Sequence, residues 1–377
     1  MSARRHYLDF NATHPLRAEA REAMRRAMDE VAANPSSVHA EGRAARTIIE
    51  RGREAVAELA GAAPAEVVFT SGATEAANWV LGARWDVIFV SRLEHDCVLK
   101  PIAASGAKVV WLPVTTLGAI DADAARVLIE GEASSPFVPR LLCVTAANNE
   151  TGVMQPIAAL SGIARECGVK VFSDAVQAVG RVAEPPAREA DFVSLSAHKI
   201  GGPMGSGALV IRGGGEPAPL LRGGGQERNR RAGTENLLGI AGFGAAARVA
   251  RQEAAMFTEV ARLRDDLTAG LREWTPELVV LGEGAPRLAN TACVAVPGWR
   301  AEAVVIQLDL AGISVSAGAA CSSGKVAASA ALEAMGISPE IARSAVRFSL
   351  GVASSGADVK AAITAWQEIA ARRRDAA

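Results

Sequence analysis

The stretch Asp191-Phe-Val-Ser-Leu-Ser196-Ala197-His198-Lys199-Ile-Gly-Gly-Pro-Met-Gly-Ser-Gly207 decides how this chain is read. Its opening apolar run has the length of a buried strand, and the glycines beyond it permit backbone turns closed to other residues. A lysine held where strand gives way to loop, beside Ser196 and His198, suits a Schiff-base role. A second stretch, Val169-Lys-Val-Phe-Ser-Asp174-Ala-Val-Gln177, places a carboxylate in the equivalent position. Pyridoxal phosphate requires both groups, a lysine to bond its aldehyde and a carboxylate to keep its pyridine nitrogen protonated.

Working outward, short apolar runs alternate with helical patterns. Strands are expected at Val67–Thr70, Val87–Ser91, Lys108–Pro113, Leu141–Ala146, Val169–Ser173, Phe192–Ser196 and Ala208–Arg212. This alternation predicts an α/β fold in which a large domain holds a mainly parallel seven-stranded sheet between helices. A long helical stretch from about Asn236 to Trp274 follows. The remainder mixes strands near Asn290–Val296 and Ala345–Leu350 with helices, as a smaller α+β domain would.

Composition narrows the function. With 377 residues, half of them hydrophobic, the chain can bury a large core and form two domains. A net charge of −1 gives no reason to expect nucleic acid or a membrane surface as partner. No apolar run approaches the ~20 residues of a membrane span. The basic N-terminus lacks an apolar signal core, so a cytoplasmic location is expected. The cysteines at 97, 143, 167, 293 and 321 show no metal-type pairing, and no metal site is expected.

Three further motifs follow predicted strands, and each has a plain reading beside a functional one. Thr70-Ser-Gly-Ala73-Thr74-Glu75 is an ordinary helix start, or a phosphate site built from helix N-terminal amides. Glu94-His95 is a helix cap, or an imidazole placed against a flat cofactor. Asn148-Asn149-Glu150-Thr-Gly152 is a turn, or an asparagine donor to a ring oxygen. All of them, with Asp174, Gln177, Ser196, His198 and Lys199, fall at the carboxyl ends of strands, the edge where open α/β sheets bind ligands. That convergence favours the functional reading.

In these motifs the chain resembles the class V, fold-type-I pyridoxal phosphate enzymes, and within them the cysteine desulfurases of the nitrogen-fixation and iron–sulfur-cluster type. Tyr7-Leu-Asp-Phe-Asn-Ala-Thr13, Asn34-Pro-Ser-Ser-Val-His39, Gly223-Gly-Gly-Gln-Glu-Arg228, Arg231-Ala-Gly-Thr234 and Arg347-Phe-Ser-Leu-Gly351 extend the resemblance over nearly the whole chain. It implies a large cofactor-binding domain over 15–255 and a small domain from 1–14 and 256–377. It implies that Lys199 carries pyridoxal phosphate, Asp174 pairs with the ring nitrogen, and Gln177 and Asn149 contact the ring oxygen. His95 would stack on the ring as a catalytic group. Ala73, Thr74, Ser196 and His198 would hold the phosphate, with Thr234 supplied by the second subunit of a homodimer. Arg347 and Asn34 would bind the substrate carboxylate. His14 departs from the threonine more usual there.

The cofactor residues do not fix the reaction. Cys321, in Ser314-Val-Ser-Ala-Gly-Ala-Ala-Cys321-Ser-Ser-Gly324, sits among small residues that pack little apolar surface, where a thiol is available for attack. The resemblance makes this the catalytic cysteine that takes sulfur from L-cysteine, leaving L-alanine, and passes it to a protein acceptor or iron–sulfur scaffold. The competing expectations are another class V activity (an aminotransferase or a selenocysteine lyase) and a platform without chemistry.

Overall fold

The computed structural model describes residues 5–30, 33–132, 138–213, 217–318 and 329–374. Strand β1 (His6–Tyr7) opens the chain apart from the main sheet. That sheet is built from β2 (Val67–Thr70), β3 (Val87–Val90), β4 (Lys108–Trp111), β5 (Arg140–Thr145), β6 (Lys170–Asp174), β7 (Phe192–Ser196) and β8 (Gly207–Ile211). Their order is β2-β8-β7-β6-β5-β3-β4, and only β8 runs against the rest. The seven expected strands are therefore the seven found, each within a residue or two of its expected ends.

Alternation along the strands explains the layers. Phe69, Phe89, Leu142, Val171 and Val193 face one side and pack against the helices Ala40–Ala60, Ile157–Glu166 and Leu237–Glu253. Their neighbours Val68, Ile88, Leu141, Phe172 and Phe192 face the other, against Ala73–Leu81 and Asp96–Ala104. A strand covered on both faces has to be apolar at nearly every position, which is why these runs read as continuous rather than alternating.

The long stretch expected to be one helical connection is two helices, Leu237–Glu253 and Phe257–Trp274, separated by a 3₁₀ turn at Ala254–Met256. Alanine and arginine favour helix throughout, so propensity could not mark the break. Beyond it lie β9 (Val279–Val280), β10 (Thr291–Ala295), β11 (Ile313–Ser314), β12 (Ser316–Ala317) and β13 (Val346–Ser349). A four-stranded antiparallel sheet, β12-β13-β10-β9, packs on Phe257–Trp274 and the final helix Gly356–Arg374 around a second core containing Trp366 and Phe348. Leu8 belongs to that core, and β1 pairs with β11, so the first residues join the C-terminal part. Among the described residues, no helix is long and apolar enough to cross a membrane, and no cluster of metal-ligating side chains is present.

Candidate active site

Because β2, β3, β5, β6 and β7 are parallel, their carboxyl ends share one edge, and β8 brings its first residue, Gly207, to the same place. Glycine is required there: a Cβ on Gly207 would lie 2.5 Å from Gly72 Cα and 2.6 Å from the Leu195 carbonyl oxygen. Over this edge lies a cavity of about 660 Å³, within the range of small-molecule sites.

The floor carries the charges. Asp174 ends β6 and is buried, its Oδ1 accepting from the Val176 N–H at 3.0 Å. Cys97 Sγ is 3.9 Å from its Oδ2. Burial drives the Asp174 carboxyl above its ordinary range, against the pull of the backbone bond and of His95 and Lys199. Lys199 closes the 3₁₀ turn after β7, and its Nζ donates to the carbonyls of Asn11 at 2.7 Å and Ala12 at 2.9 Å. Gln177 donates through Nε2 to the same Asn11 carbonyl at 3.0 Å.

The rim holds the rest. His95 caps the helix Asp96–Ala104, its ring nitrogen accepting from the Cys97 N–H. Ala73 and Thr74 start the helix Ala73–Leu81, whose N-cap is Gly72 and which no side chain caps. Ser196 ends β7 and also lines the cavity. His198 Nδ1 is 2.9 Å from Thr13 Oγ1, and burial with the neighbouring Lys199 charge lowers its imidazole to about 4. It is therefore neutral at physiological pH and can donate from one nitrogen only. Asn149 follows β5 in the expected turn, where Gly152 takes φ +76°. Arg347, on β13, reaches across from the second core: Nη1 donates to the Asn149 carbonyl at 3.1 Å and Nη2 to Asp9 Oδ1 at 2.8 Å.

The cavity thus gathers Ala73, Thr74, His95, Asn149, Asp174, Gln177, Ser196, His198, Lys199 and Arg347. It does not gather Asn34, expected with them, nor this chain's own Thr234, whose place was expected to be filled from a second subunit. Asn34 is exposed in a turn, its Oδ1 taken by the Ser36 N–H, and Thr234 is exposed beside an adjoining recess. Cys321 lies outside the described residues, five positions beyond Ser316, which lines the cavity. His14 stands outside the lining, its backbone N–H on the His198 carbonyl and its imidazole lowered by burial to about 4.

Sequence reasoning assigned no role to several residues that build the walls. Asn11 and Thr13 come from the segment after β1, Cys97 from the helix behind His95, and Asp9 and Arg181 support the wall through hydrogen bonds. The signal for Asp9, Asn11 and Thr13 is their alternation with Leu8, Phe10 and Ala12 in the Tyr7–Thr13 motif. Arg181 carried none, since an arginine after Val-Gly reads as surface.

The fit to pyridoxal phosphate rests on this geometry. A fully buried carboxylate whose proton affinity is raised by desolvation gains from a cationic N–H partner, which a pyridinium supplies. An uncapped helix start on the same wall suits a phosphate.

Comparison with known proteins agrees in extent. The family described as aminotransferase class V matches residues 6–362. A cysteine desulfurase of Cereibacter sphaeroides is 42% identical over 94% of this chain and 92% of its own length. The cysteine desulfurase IscS of Dictyoglomus turgidum is 37% identical over 98% and 95%. Among solved structures, a NifS-like protein from Rickettsia africae superposes with a TM-score of 0.88 at 33% identity, covering 97% of this chain and 99% of that one.

Proposed function

This chain belongs to the class V aminotransferase family, and from that premise we propose that it is a cysteine desulfurase, taking sulfur from L-cysteine with the help of pyridoxal phosphate and releasing L-alanine. The observation that carries the reading is the pairing of Lys199 and Asp174 at the ends of adjacent strands in one cavity. The desulfurase names of relatives that align over nearly the full chain support the reaction against the aminotransferase alternative.

Bound pyridoxal phosphate supplies an electron sink that makes an amino acid's Cα proton and its Cβ–sulfur bond labile. The residues around it act as follows. Asp174 holds the ring nitrogen's proton, because a buried carboxylate is most stable opposite a cation. Lys199 would carry the group and would be placed to hold or move the proton at the substrate's Cα. The first turn of Ala73–Leu81, with Ser196 and His198, would hold the phosphate, His198 donating to it from a ring nitrogen. Gln177 and Asn149 would hold the ring oxygen, and His95 would lie over the ring. Arg347 takes the substrate carboxylate, a task suited to a guanidinium fork.

Cys321 then attacks the substrate sulfur as thiolate. The new S–S bond leaves a persulfide on Cys321, while the pair from the broken C–S bond stays on carbon and is protonated to alanine, so no outside oxidant is needed. A homodimer that brings the partner's copy of Thr234 to the phosphate, and a protein acceptor for the persulfide, complete the proposal. The cytoplasm, where thiols stay reduced, suits this chemistry.

The test is alanine release from L-cysteine by wild type and Cys321→Ser. Multiple turnovers are expected only from wild type; equal turnover in both overturns the assignment of Cys321 as sulfur acceptor.

A further inference from the structure

Behind the cavity wall lies a cation that the reaction as described does not use. Arg181 is 6% exposed. Its Nη1 donates to Asn11 Oδ1 and to Gln177 Oε1, both at 2.6 Å, and its Nη2 to the Phe10 carbonyl at 3.1 Å and the Lys199 carbonyl at 3.4 Å. All four acceptors are uncharged, and a buried cation without a carboxylate is costly to keep. Desolvation lowers its guanidinium to about 9, and the charge of Arg347 adds to the effect.

What the cation accomplishes follows from hydrogen-bond chemistry. A guanidinium only donates, so the side-chain oxygen of Gln177 has to face it. The amide nitrogen is thereby turned the other way, to the Asn11 carbonyl on the cavity wall. The same guanidinium pins Asn11 by its side chain and Phe10 by its carbonyl. Those residues lead into the carbonyls of Asn11 and Ala12 that receive Lys199 Nζ.

We propose that Arg181 is a positioning residue that sets which way the Gln177 amide points and fixes the backbone that holds the Lys199 ammonium. The inference rests on the pyridoxal phosphate reading above, since it gives Gln177 its object, the ring oxygen. Arginine is needed rather than lysine because its planar fork divides the work, Nη1 donating to the side-chain oxygens of Asn11 and Gln177 while Nη2 donates to the Phe10 and Lys199 carbonyls.

The test is a double-mutant cycle on cofactor binding. Apoprotein of wild type, Arg181→Met, Gln177→Ala and the double variant is titrated with pyridoxal phosphate, following the dissociation constant and the visible absorption band. If Arg181 acts through Gln177, each single change weakens binding by about tenfold, the loss of one good hydrogen bond to a charged or ring oxygen. The double variant then stays within about twofold of the weaker single one, and both singles move the band the same way. Losses that multiply in the double variant, or unchanged binding by Arg181→Met, overturn the proposal alone. Wild type that takes up no pyridoxal phosphate overturns the functional reading and this one with it. Should Arg181→Met not fold, Arg181→Lys enters the same cycle, because its single ammonium keeps the charge and loses the fork.

Discussion

The buried Arg347 and the half-buried Asp9 form an ion pair, Nη2 to Oδ1 at 2.8 Å, in which Asp9 occupies one arm of the guanidinium proposed to receive the substrate carboxylate. Asp9 is itself held through Oδ2 by the Ser316 hydroxyl at 2.8 Å. Removing one partner of a buried pair strands the other charge, at a cost of about 3 kcal/mol. Asp9→Asn should therefore lose about that much in urea unfolding without ligand. Saturating L-alanine, which brings its own carboxylate, should restore more stability to Asp9→Asn than it adds to wild type. Equal gains in both would mean that Arg347 does not face the ligand carboxylate.

Lys199→Ala should lose the visible band of bound pyridoxal phosphate and reduce alanine release at least ~10²-fold, the usual contribution of a positioned proton-transfer group. The variant takes a donor from the Asn11 and Ala12 carbonyls but removes nothing from either core, so the fold should persist by circular dichroism. A retained band would place the cofactor on a different lysine.

These residues also show how far the sequence could be read. The strands and the edge they share were legible because β3, β5, β6 and β7 each hold a short apolar run, and each chemical residue follows such a run within a few positions. Lys199, Asp174 and His95 needed no long-range information. Asp9, Asn11 and Arg181 did, because their roles arise where the N-terminal segment, paired to β11 through His6 and Tyr7, folds back over the main sheet. No periodicity encodes a contact between residues 11 and 181. Asn34 and Thr234 show the converse, motif residues that one chain by itself leaves outside the cavity.

A second buried pair tests a strained turn. Glu227 sits at φ 46°, ψ 37°, in a run of left-handed residues continued by Arg228 and Asn229. Its carboxylate takes both arms of Arg53, at 2.7 and 2.8 Å, and the Phe69 N–H at 2.9 Å. With both side chains buried, Glu227→Gln should cost about 3 kcal/mol, the low end for a broken buried pair, because Arg53 keeps the half-buried Glu50 as a second partner at 3.1 Å. The paired change Arg53→Met with Glu227→Gln should cost less than Glu227→Gln alone, because no charge is then stranded. Chemical denaturation checks both, and a double variant less stable than that single one would show that the pair's charge is not what holds the turn.

Glu94 gives the stability a pH dependence. It is fully buried behind His95, its Oε1 accepts from the Thr145 N–H at 2.6 Å, and burial with the nearby Asp174 charge pushes its carboxyl up to about 8. In the unfolded chain the same group titrates near ~4.3. Between those values the native state keeps a proton that the unfolded state has released, so this group's contribution to stability falls as pH rises. The loss begins above the unfolded value and ends as pH passes the native one. Glu94→Gln keeps an oxygen for Thr145 and cannot ionise, so its unfolding free energy should decline less than wild type's from pH 5 to pH 8, by a few kcal/mol. Parallel stability curves for the two proteins over that window would mean that Glu94 is ionised in the fold.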